Sequence, residues 1–360
     1  MANFTGMLNA NEIFGGLFNM IISQRVFGDN VKGTYSSLVD KARVDGTLYG
    51  DTKLYYATDI LKSYEWGDDA EAANLLSLDR PNGPECQKIE LDNFRQIRLT
   101  IDNYLTKRAW MDKGAFTSFN NIMMGWMRDT KRVFDSTTYN TFIGTNETDF
   151  GKQKMTITPV SGQNDALTMA EALATLLVDL RDVSRAYNDY GYVRSYDESD
   201  FDVIWNAKHY NTLKKIDMPV IFHKDGLLNE FSQTVLPARY FGTKVGNTHE
   251  TFTIPAEGIQ TYRTLVELHL YEGTPEEIVL FPGDEIPEGE TVYQDETYME
   301  DDSIAFKVIH KGSVPYMSAF EVGTSFYNPR SLTENHYLTW GYNTLEHLKN
   351  YPFITARFAE

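Results

Sequence analysis

A single cysteine, Cys86, is all that 360 residues carry, which excludes an intramolecular disulfide and any cysteine-based zinc cluster. No apolar run approaches the length a membrane-spanning helix needs. The apolar stretch Ile13 to Ile22 is short and lacks a basic leader and a small-residue cleavage site, so it does not read as a signal peptide, and a cytosolic origin is expected. Positive charge is scarce. Thirty-three Lys and Arg against 51 Asp and Glu leave a net charge of −18, which argues against a nucleic-acid reader with its basic footprint.

Signatures of chemistry are missing too. The chain has no phosphate-cradling GxxxxGK[ST] or GxGxxG loop, no HExxH and no GxSxG elbow. Its seven histidines (His209, His223, His249, His269, His310, His336 and His347) are dispersed, with no pair at metal-ligand spacing. Cys86 has no base beside it in the sequence. Asp284, Glu285, Glu300, Asp301 and Asp302 could supply the paired carboxylates of a glycoside hydrolase. Acidic residues this crowded read more simply as a solvated hairpin, since Glu272 to Asp302 holds twelve Asp or Glu and no Lys or Arg. The expectation is no catalytic residue, no metal and no cofactor.

What the chain does have is aromatic side chains, 22 Tyr and 21 Phe, a type enriched in cores and at protein–protein interfaces. It also has one dominant amphipathic stretch, Lys113 to Gly144. Phe116, Phe119, Ile122, Met123, Trp126, Met127, Val133 and Phe134 recur there at steps of three and four, which predicts a core stripe on a helix roughly 40 Å long. Asn120, Asn121, Arg128, Asp129, Lys131, Arg132 and Asp135 make the opposite, polar face. Ahead of this rod, Lys53 to Thr58 and the alternating Cys86 to Ile101 read as two extended arms around a polar middle. Behind it come a strand at Lys154 to Thr158 and a helix from about Leu167 to Tyr187, with Thr168 and Glu171 as a capping box. Strand Phe201 to Trp205 and helix Ala207 to Ile216 follow. Pro219 to Ile259 reads as irregular, Gln260 to Tyr271 as one strand, and Ile304 to His310 and Val314 to Phe326 as extended chain. The first 33 residues form an apolar-rich arm that docks on its own core or on a neighbour.

Three stretches carry a family resemblance: KIELDNFRQIRLTIDNYLTKRAWMD (Lys88 to Asp112) leading into the rod, FDVIWNAKHYNTLKKI (Phe201 to Ile216), and VPYMSAFEVGTSFYNPRSLTENHYLTWGYN (Val314 to Asn343). In text and order they resemble the returning loop arm with its spine helix, the axial strand–helix unit and the closing peripheral strands of the major capsid proteins of tailed double-stranded-DNA phages, of the short-tailed type. The resemblance implies an α+β chain with the Hong Kong 97-like capsid fold. It divides the chain into an N-terminal arm (1–43), an extended loop (44–89), a peripheral domain with spine helix 113–144 (90–154), an axial domain (155–259), a strand with an acidic hairpin insertion (260–312) and the closing peripheral strands (313–360).

The implied function is self-assembly, as pentamers and hexamers, into an icosahedral head enclosing double-stranded DNA without sequence-specific binding. The implied partners are the chain itself, a separate scaffolding protein, a portal and minor head proteins, with no membrane. The implied location is the virion, after synthesis in the host cytoplasm. A cellular nanocompartment shell of the same fold and a carbohydrate-active enzyme built on the acidic 272–302 segment are the alternatives.

Overall fold

The computed structural model describes residues 37–45, 52–63, 78, 80–102, 113–159, 165–215, 232–246, 250–253, 260–261, 268–270, 278–280, 285–286, 291–294 and 297–359. The expected N-terminal arm falls almost wholly outside them, as does the segment 103–112 that leads into the rod.

Helix α1 (Ser37–Ala42) is followed by the short strand β1 (Arg43–Asp45), then β2 (Thr52–Ala57) and the 18-residue β3 (Glu85–Asp102). Strand β3 is used twice. Its first six residues pair antiparallel with β2, from Ala57 opposite Glu85 to Thr52 opposite Glu90. From Leu91 to Asp102 it pairs with β17 (Thr333–Asn343). Strand β17 in turn pairs with β16 (Tyr316–Asn328), and β1 lies parallel to β16, giving the sheet order β1-β16-β17-β3-β2. One unbroken strand therefore carries the extended arm out of the sheet body, and the arm takes its direction from that strand. The boundary expected at residue 89 falls inside β3.

The second sheet has the order β4-β18-β15-β5-β6, built from β4 (Lys154–Ile157), β5 (Phe201–Asn206), β6 (Ser232–Leu236), β15 (Ile304–His310) and β18 (Phe353–Phe358). All six residues of β5 and the first six of β15 are buried, the continuous pattern expected of strands covered on both faces. Helix α3 (Asp165–Arg181) covers one face, packing Met169, Leu173, Leu176 and Leu177 on Val203, Trp205, Phe306 and Ile354. Helix α4 (Ala207–Lys215) follows β5, and Tyr210 adds to that layer.

The other face meets the spine helix α2 (Lys113–Thr145). Phe134, Tyr139 and Ile143 share one core with Ile204, Ile309 and Phe353 of the second sheet, with Tyr316, Trp340 and Tyr342 of the first, and with Leu38 and Val39 of α1. The C-terminal half of α2 is thus wedged between the two sheets and joins them. Its last turn comes so close to residues 240–241 that a Cβ on Gly144 would lie 1.8 Å from the carbonyl oxygen of Tyr240. Only glycine fits there.

Several expectations change. Lys131 and Asp135, placed by the sequence on the polar face of the rod, are buried. Helix α3 begins at Asp165, which puts Thr168 inside its first turn as a buried residue and leaves no Thr168 cap. It ends at Arg181. The following loop, 182–196, is pinned by the Ser184–Arg194 bridge and is called the axial loop below. The supposedly irregular 219–259 segment contains β6, β7 (Gly242–Gly246) and β8 (Glu250–Thr253). Strand β6 is too polar to announce itself and is ordered by parallel pairing with the apolar β5. The closing segment divides: β16 and β17 belong to the first sheet, whereas β18 lies inside the second between β4 and β15.

The single strand expected at 260–271 is two, β9 (Gln260–Thr261) and β10 (Leu268–Leu270), in different sheets. With β11 (Ile278–Leu280), β12 (Glu285–Ile286) and β13 (Thr291–Gln294) they form a small antiparallel insertion of order β11-β10-β13-β8 plus the β9–β12 pair. Its two connections to the body are β7 and β14 (Thr297–Glu300), which pair as a ribbon. Residues 247–296 hold twelve acidic side chains and one basic one, Arg263, so eleven of the eighteen net negative charges belong to this insertion.

Candidate assembly surface

Among the described residues no cleft brings reactive groups together. What stands out is surface that a lone subunit leaves uncovered. On the arm, Leu54, Tyr56, Ile60, Leu61 and Leu78 are exposed, Leu61 to 75% and Leu78 to 79%. Leu54 and Tyr56 fall on the same face of β2, opposite Lys88 and Cys86, and Cys86 is also exposed. A second group, Val322, Phe326, Tyr327 and Leu332, lies exposed on the β16–β17 hairpin, where Leu332 adopts a left-handed backbone with φ of 56°. Several large apolar side chains left in water on two projecting elements are the signature of surfaces completed by a partner.

The arm's root, by contrast, is tied down by polar contacts. Gln87 Nε2 donates to the carbonyl of His347 at 2.9 Å, and Gln87 Oε1 accepts from the N–H of Lys349 at 2.9 Å. Asp92 accepts from the N–H and hydroxyl of Thr344, each at 2.7 Å. From the axial loop, Arg194 donates to the carbonyl of Thr58 at 2.7 Å and Arg185 to Asp59 at 2.7 Å. The N–H of Val193 and the Arg185 guanidinium hold the Asp59 carboxyl down at about 2, so this tether stays charged across the whole physiological range.

Of the predicted spine stripe, Met127 and Phe134 are buried, and Ile122, Trp126 and Val133 are half-buried. The side chains of Phe116, Phe119 and Met123 lie outside the described residues. Phe134 meets Trp340 and Tyr342 edge-on, at 5.7 and 5.4 Å between centroids, and Arg95 stands 5.4 Å over its ring. Near Met127 and Arg128 a groove of about 350 Å³ opens against Gly323, Ser325, His336 and Leu338.

The residues weighed for chemistry do not converge. Asp301 is taken up by Arg357 at 2.7 Å, and Asp302 pairs with Lys208. Glu285 and Glu300 lie on different strands, β12 and β14, and Asp284 lies outside the described residues. Among the described residues no group of three or more His, Cys, Asp or Glu could hold a metal ion. His310 stacks on Tyr351 at 4.1 Å, and burial pushes its pKa down. His209 meets the carbonyl of Asp302 at 2.7 Å, and His336 lies 3.8 Å from Glu334.

Three polar positions were not evident in the sequence. Asp135 of the spine accepts from Tyr316 Oη at 2.6 Å and from Arg43 at 3.2 Å. Lys307, fully buried in β15, donates to the carbonyl of Asn146 at 2.7 Å; burial depresses its pKa to about 7, partly offset by Glu147. His347 pairs with Asp189 at 2.8 Å. Only Lys307 had a visible signal, a charge in the middle of the apolar run Ile304 to Ile309.

Comparison with known proteins agrees with this picture of uncovered surface. The model of the Phi29-like phage major capsid protein family matches residues 4–353. Among solved structures, a chain from the capsid of Staphylococcus phage Andhra superposes with a TM-score of 0.61 at 12% identity, covering 94% of this chain and 87% of that one. A chain from the structure of the head fiber and inner core protein of native bacteriophage P68 gives 0.58 at 10%, covering 88% and 83%. One from the mature capsid of bacteriophage PhiM1 gives 0.51 at 9%, covering 93% and 92%. A search of curated proteins returns no match. At such identities the structural likeness establishes the fold, the Hong Kong 97-like fold of phage capsids.

Proposed function

Because the chain belongs to the Phi29-like phage major capsid protein family, its work is structural and it forms the head shell of a phage, and we propose how its parts divide that work. The extended arm, including β2 and the first half of β3, lies over a neighbouring subunit. The second sheet and its helices gather around the fivefold and sixfold axes of pentamers and hexamers. The two sheets stay in register because α2 is wedged between them.

The observation that carries this reading is the row of exposed apolar side chains on the arm, Leu54, Tyr56, Ile60, Leu61 and Leu78, held out on a root that is itself firmly tied. A shell needs many modest contacts, so that misplaced subunits can leave and re-enter. A projecting arm supplies them without disturbing the core. Deleting Thr52–Asn82 is expected to leave a folded subunit that cannot close shells; normal shells from the shortened chain would refute the assignment.

The chain performs no catalysis in this account. A separate scaffolding protein guides curvature, a portal occupies one vertex, and the finished shell encloses double-stranded DNA after assembly in the host cytoplasm. Negative charge on the inner surface would keep packaged DNA from adhering. Most of the net charge belongs to the insertion on the β7–β14 ribbon, so this effect depends on where that insertion faces. An inner surface found to be net basic would contradict it.

A further inference from the structure

The axial loop, 182–196, lacks regular secondary structure, yet it is braced from within. Asn188, fully buried, accepts from the N–H of Tyr192 at 2.8 Å and donates to the carbonyl of Tyr192 at 2.7 Å. Gly191 supplies the left-handed turn between them, with φ of 65°. Ser184 and Arg194 exchange backbone hydrogen bonds of 2.9 and 3.0 Å. The loop is also fastened to the body. The N–H of Lys152 donates to the carbonyl of Ala186 at 3.0 Å, and the N–H of Asp189 donates to the carbonyl of Lys349 at 2.8 Å.

Two arginines reach from this brace to the arm, at the point where its paired ribbon ends. Strands β2 and β3 stay paired as far as Ala57 opposite Glu85. The next two residues are taken by the loop. Arg194 donates to the carbonyl of Thr58, and Asp59 accepts from Arg185 at 2.7 Å and from the N–H of Val193 at 3.0 Å. Neither arginine can follow the arm, because each is anchored elsewhere. Arg185 also donates to the carbonyl of Gly191 at 2.8 Å, and Arg194 donates to Asn350 at 2.9 Å and stands 5.6 Å over the Tyr192 ring. Ile60 and Leu61, 59% and 75% exposed, come directly after the gripped residues.

Resting on the reading that the arm covers a neighbouring subunit, we infer that the axial loop is a bracket that aims the arm before assembly, and that Asp59 is the positioning residue through which it acts. A two-stranded ribbon is marginal on its own, and one held only at its base would swing. Each swinging arm would have to be ordered as the neighbour arrives, at the expense of binding. An arm already gripped at Thr58 and Asp59 presents Ile60 and Leu61 in one direction, so less freedom is lost at the moment of contact. The opposite strand is held at the same level by Gln87, through His347 and Lys349. The exposed apolar side chains make the contact with the neighbour; Asp59 sets where they point.

Hydrogen exchange of single amides in the full-length, unassembled subunit reads the grip directly, since the N–H groups of Ile60 and Val193 both end on Asp59. Asp59→Ala is expected to speed the exchange of both about tenfold, with β5 and β15 as protected as in the wild type. Arg185→Lys, which keeps the charge, should fall between the two. In assembly followed by light scattering, with a scaffolding protein from the same phage present, Asp59→Ala should need about ten times the wild-type concentration to form shells. Unchanged exchange at Ile60 and Val193 overturns the bracket. So does assembly of Asp59→Ala at the wild-type concentration. A loss of protection that spreads to β5 and β15 overturns it too, since Asp59 would then be part of the general fold. A wild type that forms no shells at any concentration overturns instead the reading of the chain as a shell subunit, and the purpose of the bracket with it.

Discussion

Tyr316 Oη donates a 2.6 Å hydrogen bond to Asp135 Oδ1 with the ring fully buried and the carboxylate 1% exposed, so the spine helix is locked to strand β16 by a bond that water does not reach. Arg43 at the start of β1 completes the site, 3.2 Å from the other carboxylate oxygen and 5.8 Å above the Tyr316 ring. Burial, and then the nearby Asp135 charge, raise the Tyr316 pKa far above the usual phenol value.

Tyr316→Phe removes one donor and leaves a buried carboxylate short of a partner. Such a loss costs on the order of 1–3 kcal/mol, and the same substitution combined with Asp135→Leu should cost less than the sum of the two alone. Urea denaturation of the unassembled subunit measures both. Additive effects would mean that the two residues do not act together.

Lys307 yields a prediction with a definite sign. Its folded-state pKa is about 7 against an ordinary 10.5, so between those values the unfolded chain binds the proton and the folded chain does not. Stability therefore rises with pH across that window and levels off below it, at a reduced value. Lys307→Met should flatten the slope between about pH 7 and about pH 10. At pH 7 it removes a penalty on the order of 3–5 kcal/mol, offset in part by the unpaired carbonyl of Asn146. Denaturation midpoints measured along the pH series decide the matter; an unchanged slope would show that Lys307 keeps its proton in the fold.

Gly144→Ala tests the closeness of the spine to the second unit. The added methyl would enter the space of the Tyr240 carbonyl, where backbone must move, and overpacking of this kind costs about 1–3 kcal/mol or more. A substitution without effect on the subunit's melting would mean that α2 and residues 240–241 are less tightly apposed.

The long elements were legible in the sequence because their signals are local. Steps of three and four marked α2 to within a residue, and alternation marked β3 with β2 as the other arm, whereas the pairing of β3 with β17 did not show in the pattern. What escaped notice depends on contacts between distant residues. Asp135 reads as one more charge on a polar face until Tyr316 and Arg43, 181 and 92 residues away in sequence, are brought to it. Strand β6, SQTVL, is ordered by its neighbour β5 rather than by its own composition. Trp126 is half-buried in the subunit, so replacing it with alanine should cost the subunit less than the 3–5 kcal/mol of a fully enclosed tryptophan. No motif marked His347, because Asp189, Asn146 and Gln87, which meet it, come from three separate segments and each is a common polar residue.

The most direct test of shell formation is electron microscopy of the purified full-length protein, expressed alone and together with a scaffolding protein from the same phage. The account predicts closed shells of uniform size in at least the second preparation, with pentameric and hexameric clusters on their surface. Subunits that stay monomeric and folded in both preparations would contradict it.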